Sequence, residues 1–293
     1  VITLGKFDGV HRGHRKLIRR VVEIAREHDW QTAVFTFAVS PQVCMGARAP
    51  RMLMTNEERR DIIRDLDVDL LFECRFTKEM RDMEPEAFVR TLLLEKLHVQ
   101  AVVMGDDFHF GKDRKGDAAV MEQLGRKYNF IVEVLPKEMD GSREISSTYI
   151  REELSQGHME KIADLMGHPY FITGDIVHGR KLGHSLGFPT INQIPAPEKM
   201  TPPYGVYYSR TFVAGKVYQG ISNIGVKPTV GGTATGLETY LFDCSLDLYG
   251  QRAKVELLSF RRPEQKFASI EELKLQMDRD IQAADIYFSR AKQ

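Results

Sequence analysis

The sequence predicts an α/β domain followed by a β-rich domain that ends in a helix. Three observations predict this. From residue 1 to about 136, short apolar runs alternate with stretches of helical periodicity, the rhythm of an open parallel sheet covered by helices. After Pro169 the segments shorten and glycines and prolines crowd in, as in an antiparallel sandwich or barrel. From Ser269 onward a single apolar stripe runs at helical spacing.

In the first half, Ile2–Leu4 reads as a short buried strand. Lys16–Ala25 follows as a helix, with Leu17, Ile18, Val21 and Ile24 on one side. Thr32–Phe37 is a strand of β-branched and aromatic residues. Thr55–Leu66 is a helix that Thr55 caps, and Glu58 completes a capping box. Val68–Phe72, Val99–Met104 and Phe130–Leu135 are strands; Pro85–Leu94 and Ala118–Tyr128 are helices. In such a sheet the ligand sits outside the carboxyl ends of the strands.

The stretch between the first strand and the first helix, Gly5-Lys6-Phe7-Asp8-Gly9-Val10-His11-Arg12-Gly13-His14, lies at a helix N-terminus. Backbone N–H groups and the helix dipole favour phosphate there. The two histidines are three residues apart, so one helical turn presents both on one face. Glycines at 9 and 13 let a nucleotide approach the backbone. Two further stretches carry polar groups. Gly105–Gly116 is either a charged surface loop or a loop whose Asp and aromatic residues hold a planar ligand. Ile145–Arg151 places three hydroxyls at a helix start, either as caps or as triphosphate ligands, with Arg151 one turn further in.

Ser147 to Gly167 reads as a helical joint divided at Gly157. Strand-like runs follow at Phe171–Val177, Gly205–Phe212, Lys216–Ile224, Glu238–Phe242 and Ala253–Phe260. The final helix starts with a capping box of Ser269 and Glu272, and Leu273, Met277, Ile281, Ala284 and Phe288 form its stripe. Its expected partner is the sheet. The loop Gly174–Gly183 is glycine-rich and basic, suited to wrapping phosphates with backbone amides. Thr190 and Asn192 are two apart, so an extended segment turns both to one side. They are either part of a turn or oxygen ligands for a hard cation such as Mg²⁺. Glu238, in an otherwise apolar strand, is either an edge residue facing water or a placed base.

Composition excludes several classes. The 293 residues suggest about two domains. Lys+Arg and Asp+Glu are both 41, and no long basic run occurs, so a nucleic-acid partner is not expected. Cys44, Cys74 and Cys244 are odd in number and far apart, which excludes a disulfide framework and a zinc cluster and fits a reducing compartment. No apolar run approaches membrane-spanning length, and no signal peptide is visible. Val1 stands inside what reads as a strand, so residues ahead of it are expected.

The turn Gly5–His14, with Phe7-Asp8-Gly9 ahead of the histidine pair, resembles the signature of the HxGH nucleotidyltransferases. Residues 5–14, 36–41, 105–116 and 145–151 together resemble the adenylyltransferase module of the prokaryotic bifunctional riboflavin kinase/FMN adenylyltransferase (FAD synthetase) family. Lys6 departs from a usual Asn, and Ser40 from a His that commonly precedes Pro41. The second half resembles that family's riboflavin kinase domain. The match runs through Gly187–Asn192, Tyr204–Tyr207, Asn223–Thr229, Glu238, Tyr249-Gly250 and Arg261–Phe267, with His184 where Arg is common.

The resemblance implies a Rossmann-like HxGH nucleotidyltransferase domain over 1–152, a helical linker over 153–169 and a riboflavin kinase domain over 170–293. It makes the last a six-stranded antiparallel β-barrel with a C-terminal helix. It implies catalytic roles for His11, His14, Arg151 and Glu238. ATP and its phosphates fall to Gly5, Phe7, Asp8, Gly9, Gly13, Ser146, Ser147 and Thr148, and in the second half to Gly174, His178, Gly179, Arg180, Lys181 and Gly183. Flavin falls to Asp106, Asp107, Phe108, Phe110 and Arg261, and Mg²⁺ to Thr190 and Asn192. The implied partners are riboflavin, FMN and ATP, with FMN and FAD as product ligands, in the cytoplasm and without nucleic acid or membrane.

Overall fold

The structure is a computed structural model that describes residues 1–39, 44, 51–179, 188–229 and 232–290. The chain divides into two compact units, Val1–Ser147 and Thr148–Gln293.

The first unit is a parallel sheet covered by helices. Strands β1 (Ile2–Leu4), β2 (Ala33–Phe37), β3 (Leu70–Cys74), β4 (Ala101–Gly105) and β5 (Ile131–Leu135) lie in the order β3-β2-β1-β4-β5. All four pairings are parallel. β1 and β4 are buried on both faces, which is why β4 reads as an unbroken apolar run and β1 interrupts its apolar residues only with the buried Thr3. Ile2, Leu4, Val102 and Met104 pack on one face with Phe88, Val89 and Leu93. Val1, Ala101 and Val103 pack on the other with Val21 and Ile24 of helix α1 (Arg12–His28). The order of strands reverses between β1 and β4, so the ligand crevice of this fold lies beyond their carboxyl ends.

Helix α2 (Asn56–Arg64) carries both halves of its capping box: Glu58 N donates to Thr55 Oγ1 at 3.2 Å and Thr55 N to Glu58 Oε2 at 2.9 Å. A short helix, α3 (Lys78–Arg81), was not legible in the periodicity. The expected helix at 85–94 begins as α4 (Pro85–Ala87) and continues as a π-helix over Phe88–Lys96. The wider hydrogen-bond step sets Phe88 and Leu93, five apart, over the same buried face. Helix α5 (Ala118–Tyr128) has the predicted ends, with Asp117 accepting from Val120 N at 2.9 Å. A two-stranded hairpin, β6 (Met139–Asp140) and β7 (Arg143–Glu144), follows β5.

Two helices, α6 (Ser147–Gln156) and α7 (Met159–Met166), are separated by Gly157 at φ 78°, as its position predicted. The second unit then forms an antiparallel sheet from β8 (Tyr170–Asp175), β9 (Thr190–Gln193), β10 (Gly205–Val213), β11 (Lys216–Thr229), β12 (Gly232–Leu241) and β13 (Arg252–Pro263). Its order is β8-β13-β10-β11-β12-β9. The two outer strands approach each other. Val177 N donates to Asn192 O at 2.8 Å, and Gln193 Nε2 spans to Gly174 O at 2.7 Å and Ala253 O at 2.9 Å. The six strands thus curl into an open-sided barrel.

Buried hydroxyls tie neighbouring strands inside it, with Ser222 Oγ 2.8 Å from Ser209 Oγ and 2.7 Å from Thr239 Oγ1. Helix α8 (Ile270–Arg290) lays Ala284 and Phe288 on Val206, Tyr208 and Ile221. Glu272 N donates to Ser269 Oγ as expected, but the Glu272 carboxylate reaches back to Ala268 N at 3.0 Å. The predicted stripe is interrupted by Asp280, which is buried against Arg262.

Candidate active sites

In the first unit the turn after β1 holds its shape against local preference. Phe7 (φ 50°) and Val10 (φ 37°) sit with Gly9 (φ 86°) in the left-handed region. A β-branched residue there is an outlier that surrounding contacts must impose. Both side chains are fully buried. The Asp8 carboxylate accepts from Leu53 N at 2.9 Å and Met54 N at 3.2 Å. The Arg59 guanidinium donates to Lys6 O at 3.2 Å, Phe37 O at 3.1 Å and Glu73 Oε1 at 2.8 Å. Thr36 Oγ1 adds a bond to Lys6 O at 3.1 Å, and Ser147 Oγ one to Asp8 O at 2.9 Å.

This clamp delivers two stacked imidazoles. His11 is the N-cap residue of α1, and His14 lies in its first turn. Their ring centroids are 3.7 Å apart and the rings are inclined by 24°. Phe7 backs His14 at 5.0 Å. Each ring has a buried Nδ1 without a hydrogen-bond partner among the described residues. Burial lowers the His11 pKa to about 4, opposed by the Asp107 carboxylate. Burial also lowers that of His14, and the neighbouring His11 adds to the shift. Both rings are therefore neutral near neutral pH and offer N–H donors. Gly13 leaves room for the pairing, since a Cβ there would press on the His11 ring, 3.2 Å from Cε1 and Nδ1.

The other expected residues of this half divide. Gly5 follows β1 and donates its N–H to Phe35 O at 3.0 Å. Asp106 and Asp107 are exposed beyond β4, across the switch point from the histidines, and Asp107 Oδ2 lies 3.3 Å from Lys137 Nζ. Phe108 is half-buried and lies over Phe110 at 6.1 Å with rings inclined by 15°. Three of the expected residues are engaged within the protein itself. Phe7 is core packing behind His14, because its ring is fully buried. Asp8 is a clamp on backbone amides, and its negative charge opposes phosphate. Phe110 is buried in the core against Phe88, with Phe108 lying over it. Ser146 precedes α6, while Thr148 and Arg151 lie on it within the second unit. Ser40 lies outside the described residues.

In the second unit a polar row crosses three strands. The register places Asn223 opposite Glu238, and Glu238 opposite Asn192. β12 lies between β11 and β9, so Glu238 is not an edge residue. Its carboxylate is held at both oxygens. Thr190 Oγ1 donates to Oε1 at 2.7 Å, and Lys227 Nζ donates to Oε2 at 2.6 Å. The same ammonium donates to Asn192 Oδ1 at 2.8 Å. Since an ammonium has no acceptor, Asn192 must present its oxygen to it. These oxygens suit a hard cation, and a cationic nitrogen already stands among them. Among the described residues no group of three His, Cys, Asp or Glu is placed to bind a metal.

His178 stacks on Tyr249 with centroids 4.0 Å apart, and Gly179 lies against the Asn192 amide. The Gly174 carbonyl is engaged by Gln193. Arg261 is exposed on β13, with its Nε 3.9 Å from Asp280 Oδ1. Arg180, Lys181, Gly183 and His184 lie outside the described residues. Two residues that organise the sites were missed. Lys227 is four after Asn223, hence on the same strand face. Arg59 stands three and four before Ile62 and Ile63, on the apolar side of α2, where a charged residue signals a buried partner.

Comparison with known proteins also finds two parts in the chain. A family model for FAD synthetase matches residues 1–149, and one for riboflavin kinase matches residues 166–288. The bifunctional riboflavin kinase/FMN adenylyltransferase of Escherichia coli K12 is 36% identical, over 100% of this chain and 94% of that protein. That of Bacillus subtilis strain 168 is 37% identical, over 100% and 93%. A crystal structure described as a macrolide-efflux protein from Streptococcus pneumoniae superposes with a TM-score of 0.87 at 26% identity, covering 97% of this chain and 93% of that one. Among the described residues no helix is long and apolar enough to cross a membrane.

Proposed function

The chain belongs to the bifunctional riboflavin kinase/FMN adenylyltransferase family, and from that premise we propose how each unit carries out its reaction. The second unit transfers the γ-phosphoryl group of ATP to riboflavin, yielding FMN and ADP. The first transfers the adenylyl group of a second ATP to FMN, yielding FAD and pyrophosphate.

Phosphorylation needs an alcohol to lose its proton, and Glu238 is the base. The observation that carries the reading is the convergence of Thr190, Asn192 and Glu238, from strands β9 and β12, within hydrogen-bond reach. Thr190 and Asn192 would hold Mg²⁺, which when bound neutralises phosphate charge. Arg261 and the 174–183 loop are assigned to substrate on sequence grounds.

Adenylylation needs no base, because the FMN phosphate is already an anion. Its difficulty is the approach of two anions and the departure of pyrophosphate. His11 and His14 offer N–H donors at the N-terminus of α1, whose backbone amides favour phosphate. Phe108 presents a ring to flavin. Arg151 and the Ser146–Thr148 hydroxyls are assigned to the leaving phosphates. A cytoplasmic location belongs to the same proposal, since the three thiols are free.

The test is product chromatography with riboflavin, ATP and Mg²⁺. We expect His14→Ala to form FMN but no FAD. We expect Glu238→Ala to form no FMN, yet to convert supplied FMN to FAD. If either folded variant lost both activities, the assignment of one reaction to each unit would fail.

A further inference from the structure

Lys227 holds a position that the kinase reading leaves unexplained. Its ammonium lies 2.6 Å from Glu238 Oε2 and 2.8 Å from Asn192 Oδ1, and Thr190 Oγ1 completes the group by its 2.7 Å bond to Glu238 Oε1. The stem that carries it there runs flat across β12. A Cβ on Gly236 would lie 2.7 Å from Lys227 Cγ and Cδ, so a larger residue there would push the lysine stem off this path. The lysine's path thus ends between the Glu238 carboxylate and the Asn192 oxygen, one of the two side-chain oxygens assigned to Mg²⁺.

We propose that Lys227 is a built-in placeholder for the divalent cation, so that its ammonium and the metal are alternative occupants of the Thr190–Asn192–Glu238 pocket. This rests on the kinase reading of the second unit. The physical reasoning is short. Asn192 Oδ1 faces either the ammonium or the ion, and two cations at adjoining positions repel. Without the metal, Lys227 compensates the Glu238 charge and keeps the Asn192 oxygen turned inward. When the metal binds, its higher charge displaces the single charge of the ammonium. The cation site is thereby kept ordered in both states, and the metal must compete for it.

The test measures Mn²⁺ binding to the full chain by the loss of the free-ion EPR signal, without substrates. Removing one positive charge a few ångströms from the incoming ion is worth about a factor of ten or more. Lys227→Met is therefore expected to bind Mn²⁺ about tenfold more tightly, with Lys227→Gln as a second neutral variant. Adding Thr190→Ala to Lys227→Met should abolish that gain. Unchanged or weaker binding in both neutral variants would overturn the proposal, and so would a gain that survives Thr190→Ala. FMN formation by the unaltered chain reads the kinase assignment separately. No FMN would remove that assignment whatever Mn²⁺ does. FMN with unchanged Mn²⁺ binding would remove only the placeholder.

Discussion

Two neutral imidazoles stacked at 3.7 Å are an unusual way to greet a polyanion. Their neutrality is a product of burial, and an arriving triphosphate reverses that balance by favouring the charged form. ATP binding at about pH 6 is expected to be accompanied by proton uptake, seen in calorimetry as an enthalpy that changes with the buffer. A buffer-independent enthalpy would show that the rings stay neutral. The same burial sets a pH dependence of stability. The His11 pKa is lowered from 6.5 to about 4, so between those values the unfolded chain binds more protons than the folded one. The contribution of neutral His11 is present above the unfolded pKa and is lost as pH falls through the folded value. Urea midpoints at about pH 5 and pH 7 should differ less for His11→Gln than for the unaltered chain. Gly13→Ala should act differently. The new Cβ presses on the His11 ring at 3.2 Å, while alanine favours the helix. FAD formation is expected to fall about tenfold with no loss of stability and no change in FMN formation.

At the scale of elements, buried charges hold both units in register. Arg59, on α2, is 3% exposed and joins the turn after β1 to the end of β2 and to Glu73 on β3. Arg59→Leu removes the donors for two carbonyls and a partner of Glu73. It is expected to lower the stability of the first unit by about 2–4 kcal/mol in denaturant titrations, and FAD formation with it. FMN formation should persist. In the second unit Asp280, 1% exposed on α8, takes Arg262 Nε at 2.9 Å and NH2 at 2.7 Å. Asp280→Ala leaves the guanidinium without that carboxylate and should destabilise by about 3 kcal/mol. Replacing both partners with apolar residues of similar size should recover most of that loss, because a buried pair repays its desolvation only partly.

At the scale of the whole molecule, the histidine pair and the polar row around Glu238 each lie inside one unit. His11 and His14 fall within Val1–Ser147, and Thr190, Asn192, Lys227 and Glu238 within Thr148–Gln293. Two damaged chains should therefore complement each other. A mixture of His14→Ala and Glu238→Ala chains, given riboflavin and ATP, is expected to make FAD after a lag in which free FMN accumulates. No FAD from the mixture, with each variant retaining its own reaction, would show that FMN does not pass through solution.

The alternation of apolar runs, the capping box at Thr55 and the glycine at 157 made the elements legible, because hydrophobic period and cap chemistry are local. The histidine pair was legible too, since three residues on a helix is a distance as well as a spacing. Resemblance to a family, carried by whole motifs, supplied the chemistry. The contacts were not legible. Nothing local says that Asp8 serves two amides at 53 and 54, that Phe110 turns into the core, or that Glu238 lies on an interior strand. Strand order and register decide these, and they bring together residues as distant as Thr190 and Glu238. The strain at Phe7 and Val10 and the neutrality of the histidines have the same origin. Both are energies of burial, and burial exists only once the chain has closed around those side chains.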